Sequence, residues 1–212
     1  MKNLISLNDV SAEIWDQLLR VSREVKLHPG NFRQMLLGKN LVLVFEKPSL
    51  RTRLTFELAI KQLGGDAVYL GYQEAPLSDR EELSDVARNL ERWFDCIVAR
   101  TFSHDTVLSL AKHASIPVIN ALTDNEHPCQ ALADIFTLSE KWGKLEGKRI
   151  AFVGDGNNVC TSLVHAAALA GMSFIAITPA SHQPRPEILE EFRRLSVSDS
   201  VSYSWTDSLE GV

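Results

Sequence analysis

Residues 45–59, FEKPSLRTRLTFELA, crowd hydrogen-bond donors at the point where a helix begins. Pro48 suits a helix entry, Ser49 is a good N-cap, and the amides that follow have no acceptor within the helix. Arg51 and Arg53 fall in the first turn. Cations are disfavoured there, because the aligned peptide dipoles already make that end positive. The pattern makes sense when something anionic sits among these groups. The Ser49 and Thr52 hydroxyls, the open amides and the Arg51 guanidinium have the chemistry to hold a phosphate on several oxygens at once. The same string also fits a plainly capped helix whose arginines reach solvent. Arg53 points elsewhere on the helix and reads as structural.

Three further places join this one. Arg100 closes the apolar run CIVAR, as a ligand or as a surface charge. His127 precedes Pro128, which suits the first position of a helix, and Gln130 falls in the same first turn. At a positive helix end the neutral imidazole is favoured, which fits it to hydrogen-bond a carbonyl. GDGNN (154–158) begins like a dinucleotide fingerprint, but Val159 stands where the third glycine belongs. The next strand ends AITPA, without an acid for a ribose, and Asp155 would repel a pyrophosphate. Asn157 and Asn158 offer amide groups to a small zwitterionic ligand, or simply form the turn. His28, His104, His113, His165 and His182 have no comparable context and read as ordinary histidines.

The elements that must position these residues alternate. Helical spacing of Ile14, Leu18, Leu19 and Val25 predicts a helix from Ser11 to Val25. NLVLVFE (40–46) is short, continuous and apolar, the pattern of a strand covered on both faces. A helix over 50–63 stops at Gly64 and Gly65, and DAVYL (66–70) is a second strand. Residues 71–80 read as loop. Helix 81–94, strand 96–100, helix 104–114, strand 117–121 and helix 128–142 follow. A polar, glycine-bearing linker then leads to strand 149–153, helix 158–170, strand 173–177 and helix 186–195. Such alternation predicts an α/β protein of two doubly wound parallel-sheet units joined by the 128–142 helix, with a boundary near Leu145. The second unit, 145–212, has room for two or three strands and reads as incomplete. The chain stops at WTDSLEGV where another strand is expected, which suggests truncation.

Composition narrows the function. At 212 residues and 45% hydrophobic the chain can bury a real core. A net charge of −5 without a basic block argues against nucleic-acid binding. Cys96, Cys129 and Cys160 form no CxxC pair, so neither a zinc site nor a disulfide framework is expected, and no metal or cofactor is implied. The N-terminus lacks a signal-peptide core and no apolar stretch is long enough for a bilayer, so a soluble cytoplasmic protein is expected.

Taken together, the motifs resemble the aspartate/ornithine carbamoyltransferase family, on its ornithine side. FEKPSLRTRLTFELA is similar to the family's carbamoyl-phosphate motif, VARTFSHD to the strand carrying its second phosphate arginine, NALTDNEHPCQALAD to its His-Pro-Cys-Gln motif, and GDGNNVCTSL to the turn opening its amino-acid domain. Four motifs agree, in order, over most of the chain. The resemblance implies a carbamoyl-phosphate-binding domain at 1–144 and an ornithine-binding domain at 145–212. It implies that Ser49, Leu50 through its backbone, Arg51 and Thr52 cradle the phosphate. Arg100 would bridge phosphate and carbonyl oxygen, His127 would polarise the carbonyl, Gln130 would hold the carbamoyl amide, and Asn158 would contact ornithine. The catalytic set is Thr52, Arg100 and His127. Family members are trimers or assemblies of trimers. The expected reaction converts carbamoyl phosphate and L-ornithine to L-citrulline and phosphate, without cofactor.

The sequence departs from the family at Leu50, where Thr is usual, and at Pro76, which aligns where a neighbouring subunit's Gln is usual. The later ornithine-gripping motifs, including HCLP, do not occur. A chain ending here should bind carbamoyl phosphate better than it catalyses. Aspartate is the nearest alternative acceptor, but residues 155–170 contain no Lys or Arg for its second carboxylate. A dinucleotide-dependent oxidoreductase and a noncatalytic carbamoyl-phosphate-binding or assembly protein are the other readings.

Overall fold

The computed structural model describes residues 2–71 and 81–210. Its helices are α1 (Ala12–Leu27), α2 (Leu50–Gln62), α3 (Leu83–Trp93), α4 (His104–His113), α5 (Pro128–Trp142), α6 (Asn158–Leu169) and α7 (Ile188–Leu195). Its strands are β1 (Asn40–Phe45), β2 (Asp66–Gly71), β3 (Cys96–Arg100), β4 (Val118–Leu122), β5 (Arg149–Val153), β6 (Ser173–Ile177) and β7 (Tyr203–Thr206). The chain forms two compact units. One holds the residues up to Ile5 together with Arg20–Asp124, and the other Ser6–Leu19 and everything from Asn125 on, so that α5 packs with the second.

In the first unit four parallel strands lie in the order β2-β1-β3-β4. β1 is central and its five residues after Asn40 are all buried, because consecutive side chains enter opposite cores. Val42 and Val44 join Ile97, Ala99, Leu90, Val107 and Leu110 under α3 and α4. Leu41, Leu43 and Phe45 join Val98 and Ile60 under α2. Helices on both faces make this sheet doubly wound. Residues 3–5, which the sequence pattern left unassigned, run along the free edge of β4: Leu4 bridges Ile119 in parallel, and the Asn120 side-chain amide donates to the Ile5 carbonyl at 2.9 Å.

The second unit has a three-stranded parallel sheet, β5-β6-β7. The expected further strand is Tyr203–Thr206, within which Trp205 lies. The core of this unit is α6, nine of whose residues from Cys160 to Leu169 are buried. A helix apolar nearly all round must be covered nearly all round. The fold is thus α/β with a four-stranded and a three-stranded parallel sheet. Among the described residues, no helix is long and apolar enough to cross a membrane.

Candidate active site

From β1 the chain moves to β2 on one side, then returns across β1 to place β3 on the other. The winding therefore reverses between β1 and β3, and a crevice opens beyond the carboxyl ends of strands at such a reversal. Phe45 and Arg100 are register partners there. The Glu46 amide donates to the Arg100 carbonyl at 2.8 Å, and the Phe102 amide donates to the Glu46 carboxylate at 2.6 Å. Lys47 lies over the Phe102 ring. These contacts tie the two strand ends together.

Ser49 caps α2 from an extended conformation: its hydroxyl accepts the Thr52 amide at 3.4 Å and donates to the Thr52 hydroxyl at 3.0 Å. The helix offers no acceptor to the Leu50 and Arg51 amides. Arg51 is exposed. Arg53 pairs with Glu57 at 2.8 Å and stacks on Tyr69, which fits the structural role its position suggested.

Arg100 is different. Its side chain is half-buried, its Nε is fully enclosed, and it meets no hydrogen-bond partner among the described residues. Burial lowers its pKa, and no anion among the described residues offsets the loss of water. A guanidinium carried into a crevice without a counter-ion is costly unless a ligand answers it. Pro76 and the rest of 72–80 lie outside the described residues.

In the second unit His127 is the N-cap of α5 and Pro128 takes the first helical position, as expected. Here a side chain from another helix does the binding: the His127 amide donates to the Ser162 hydroxyl at 2.9 Å. Gln130 is exposed and gives its amide to Asp134 at 2.9 Å, while burial raises the Asp134 pKa against that bond. Asn157 caps α6, accepting from the Val159 and Cys160 amides at 3.0 and 3.3 Å. Asn158, the first residue of α6, is half-buried.

The second glycine of GDG, Gly156, serves the chain itself. A Cβ on Gly156 would lie 2.4 Å from the Pro184 nitrogen, and the Gly156 amide donates to the His182 carbonyl at 2.7 Å. In a dinucleotide site that approach is reserved for the pyrophosphate. Here the 182–184 segment occupies it.

Sequence reasoning missed the group behind His127. Buried Glu126, Ser162 and His165, with half-buried Glu191 at the end, form a polar chain in this unit. Its one legible signal is a histidine inside the apolar stretch SLVHAAALAG, read there as ordinary. The cysteines are free thiols, and burial pushes Cys129 and Cys160 up to about 12 and Cys96 to about 11. None is a nucleophile near neutral pH. Among the described residues, no cluster of His, Cys, Asp or Glu is arranged to hold a metal ion.

A doubly wound unit with open donors at its switch point is followed along the chain by a smaller parallel-sheet unit. Residues 2–140 match the family described as aspartate/ornithine carbamoyltransferase, carbamoyl-P binding domain, and residues 146–212 match its Asp/Orn binding domain. The chain belongs to the aspartate/ornithine carbamoyltransferase family. It is 42% identical, over its full 212 residues, to an ornithine carbamoyltransferase of Vibrio sp. (strain 2693), of which it covers 70%. Among solved structures it resembles the ornithine carbamoyltransferase of Pyrococcus furiosus, with a TM-score of 0.93 at 38% identity over 96% of this chain and 66% of that one. The Thermus thermophilus enzyme gives 0.87 at 43% identity, over 97% of this chain and 68% of its own.

Proposed function

We propose that the protein transfers the carbamoyl group of carbamoyl phosphate to the side-chain amine of L-ornithine, giving L-citrulline and phosphate, as a cytoplasmic step of arginine metabolism. The observation that carries this reading is Arg100, a half-buried guanidinium whose enclosed Nε has no partner among the described residues, beside a helix entry full of open donors. A dianionic phosphate supplies what that crevice lacks.

In this reading residues 1–144 act as the carbamoyl-phosphate domain and 145–212 as the ornithine domain. Ser49, the Leu50 and Arg51 amides, and Thr52 hold the phosphate, and Arg100 reaches both phosphate and carbonyl oxygen. His127 polarises the carbonyl, Gln130 takes the carbamoyl amide, and Asn158 meets ornithine. The neutral amine forms a C–N bond to the carbonyl carbon, the bond from that carbon to the phosphate oxygen breaks, and the proton lost by the amine is matched by one gained by phosphate. Thr52, Arg100 and His127 stabilise the oxyanion between those events; removing one such donor costs about 10²–10³ in turnover. No covalent enzyme intermediate or cofactor enters. Ornithine is favoured over aspartate because 155–170 offers no cation for a second carboxylate.

A homotrimer or an assembly of trimers belongs to the same reading. Leu50, Leu54 and Leu58, four residues apart on α2, are 75%, 52% and 57% exposed, an apolar stripe suited to burial against another copy.

The test is citrulline formation, with calorimetric titration of carbamoyl phosphate alongside. Citrulline production that falls at least a hundredfold in both Arg100→Ala and His127→Ala supports the reading. Binding without citrulline selects the noncatalytic alternative. Absence of both binding and turnover refutes it.

A further inference from the structure

The buried chain behind His127 has a direction. His165, on α6, is wholly enclosed, with a carboxylate on each side. Its Nε2 is 2.9 Å from a Glu191 oxygen, and its Nδ1, which makes no hydrogen bond among the described residues, stands 3.6 Å from Glu126 Oε2, within ion-pair range. A neutral imidazole would aim a lone pair at one of those oxygens; only the imidazolium turns an N–H toward both. Burial would depress the His165 pKa, but the two carboxylates outweigh it and the pKa is raised. Arg185 answers the half-buried Glu191 at 2.9 Å, so each of the two carboxylates has a cation beside it.

Glu126 is thereby held as a carboxylate, and it is the hub. Its Oε2 accepts from the Ser162 hydroxyl at 3.1 Å and the Leu7 amide at 3.3 Å, while its Oε1 accepts from the Ser6 hydroxyl. Burial works to raise its pKa, but His165 and the two serines hold it below the ordinary carboxylate value. The Ser162 hydroxyl, donating to Glu126, must accept on its other side, and there it takes the His127 amide at 2.9 Å. Hydrogen bonds in such a file polarise and strengthen one another. A buried ion pair seldom adds stability over an apolar side chain of the same size, and the neighbours of His165 are Val164 and Ala166.

We propose that His165 is a positioning residue: through Glu126 and the Ser162 hydroxyl it fixes the peptide N–H of His127, and so the orientation from which the His127 imidazole leaves the start of α5. Its catalytic consequence rests on the function proposed above; its structural part does not. The role of His127 needs a fixed ring, and the His127 side chain cannot fix itself by capping, since it makes no cap bond to α5. The file supplies the anchor from the opposite side, through the backbone.

The experiment is nuclear magnetic resonance on the folded chain. In the wild type at pH 7 the ¹⁵N shifts of the His165 ring should show both nitrogens protonated; a neutral tautomer overturns the proposal. Amide exchange at His127 should quicken about tenfold or more in Ser162→Ala and in His165→Gln, while β1 amides in the first unit keep their rates. Wild-type exchange at His127 in both folded variants overturns it, and quickening in Ser162→Ala alone overturns the part given to His165. Should His165→Gln not fold, the ring measurement on the wild type still decides. If the wild type forms citrulline, His165→Gln should lower kcat about tenfold and change carbamoyl phosphate affinity less than twofold; an unchanged kcat overturns the catalytic part. A wild type without turnover counts against the proposed function, whereas the ring and exchange results judge the positioning separately.

Discussion

Arg100→Met should make the ligand-free protein more stable and the ligand-bound protein less so. Methionine keeps the apolar stem of the side chain and deletes the enclosed Nε, which has no partner among the described residues. An unsatisfied buried donor costs about 1–3 kcal/mol, and the half-buried guanidinium recovers part of that through water at its outer end. A net gain of about 1 kcal/mol is expected. For a chain of this size that raises Tm by about 2–4 °C. Carbamoyl phosphate at 100 times its Kd stabilises the wild type by about 2.7 kcal/mol, and the variant forfeits most of that. The order of the two melting curves should therefore reverse when ligand is added. Differential scanning calorimetry of both proteins, with and without carbamoyl phosphate, reads the effect directly. A variant that melts several degrees below the wild type without ligand would refute the reasoning, since it would make Arg100 part of the scaffold.

Stability should peak at mildly acidic pH. The raised His165 pKa gives a contribution complete below the ordinary 6.5 and lost as pH climbs through the higher folded value. The lowered values of Glu126 and Glu191 give contributions complete above the ordinary 4.5 and lost as pH falls through the folded values. Urea titrations from pH 3 to 9 should trace both limbs, and His165→Gln should remove the alkaline one. Gly156→Ala should lose about 1–3 kcal/mol or more in the same urea assay, because the methyl meets the Pro184 backbone at 2.4 Å; an unchanged midpoint would show that the 182–184 segment yields freely. With thiols pushed up to about 12, Cys129 and Cys160 should resist a disulfide reagent at pH 8 until the protein unfolds. Labelling at the rate of a free thiol would contradict their burial.

The first sheet was legible because its strands are short continuous apolar runs and its helices carry their own punctuation. α2 begins at the Ser49 cap and ends before Gly64, whose φ of 93° excludes most other residues. Where punctuation was weak, boundaries slipped. α3 and α7 begin at Leu83 and Ile188, two residues later than periodicity suggested, and the residues ahead of both, Glu82 and Glu187, make no side-chain cap bond. The pairing of Leu4 with β4 was invisible, since one bridged residue has no period. Ser49, Thr52, Arg100 and His127 could be singled out as candidates because each sits at a strand end or helix start. The file from His165 to Ser162 was not, because the two carboxylates that give His165 its meaning, Glu126 and Glu191, come from distant parts of the chain. Nor does a string of letters reveal that Gly156 makes room for the chain's own backbone rather than a ligand.

A crystal structure with carbamoyl phosphate bound tests the central claim most directly. Its phosphate oxygens should lie within hydrogen-bond distance of the Ser49 hydroxyl, the Leu50 and Arg51 amides and the Arg100 guanidinium. A phosphate found instead in the other basic cleft of the first unit, lined by Lys26, Arg33 and Lys61, with Arg100 still unpartnered, would contradict it.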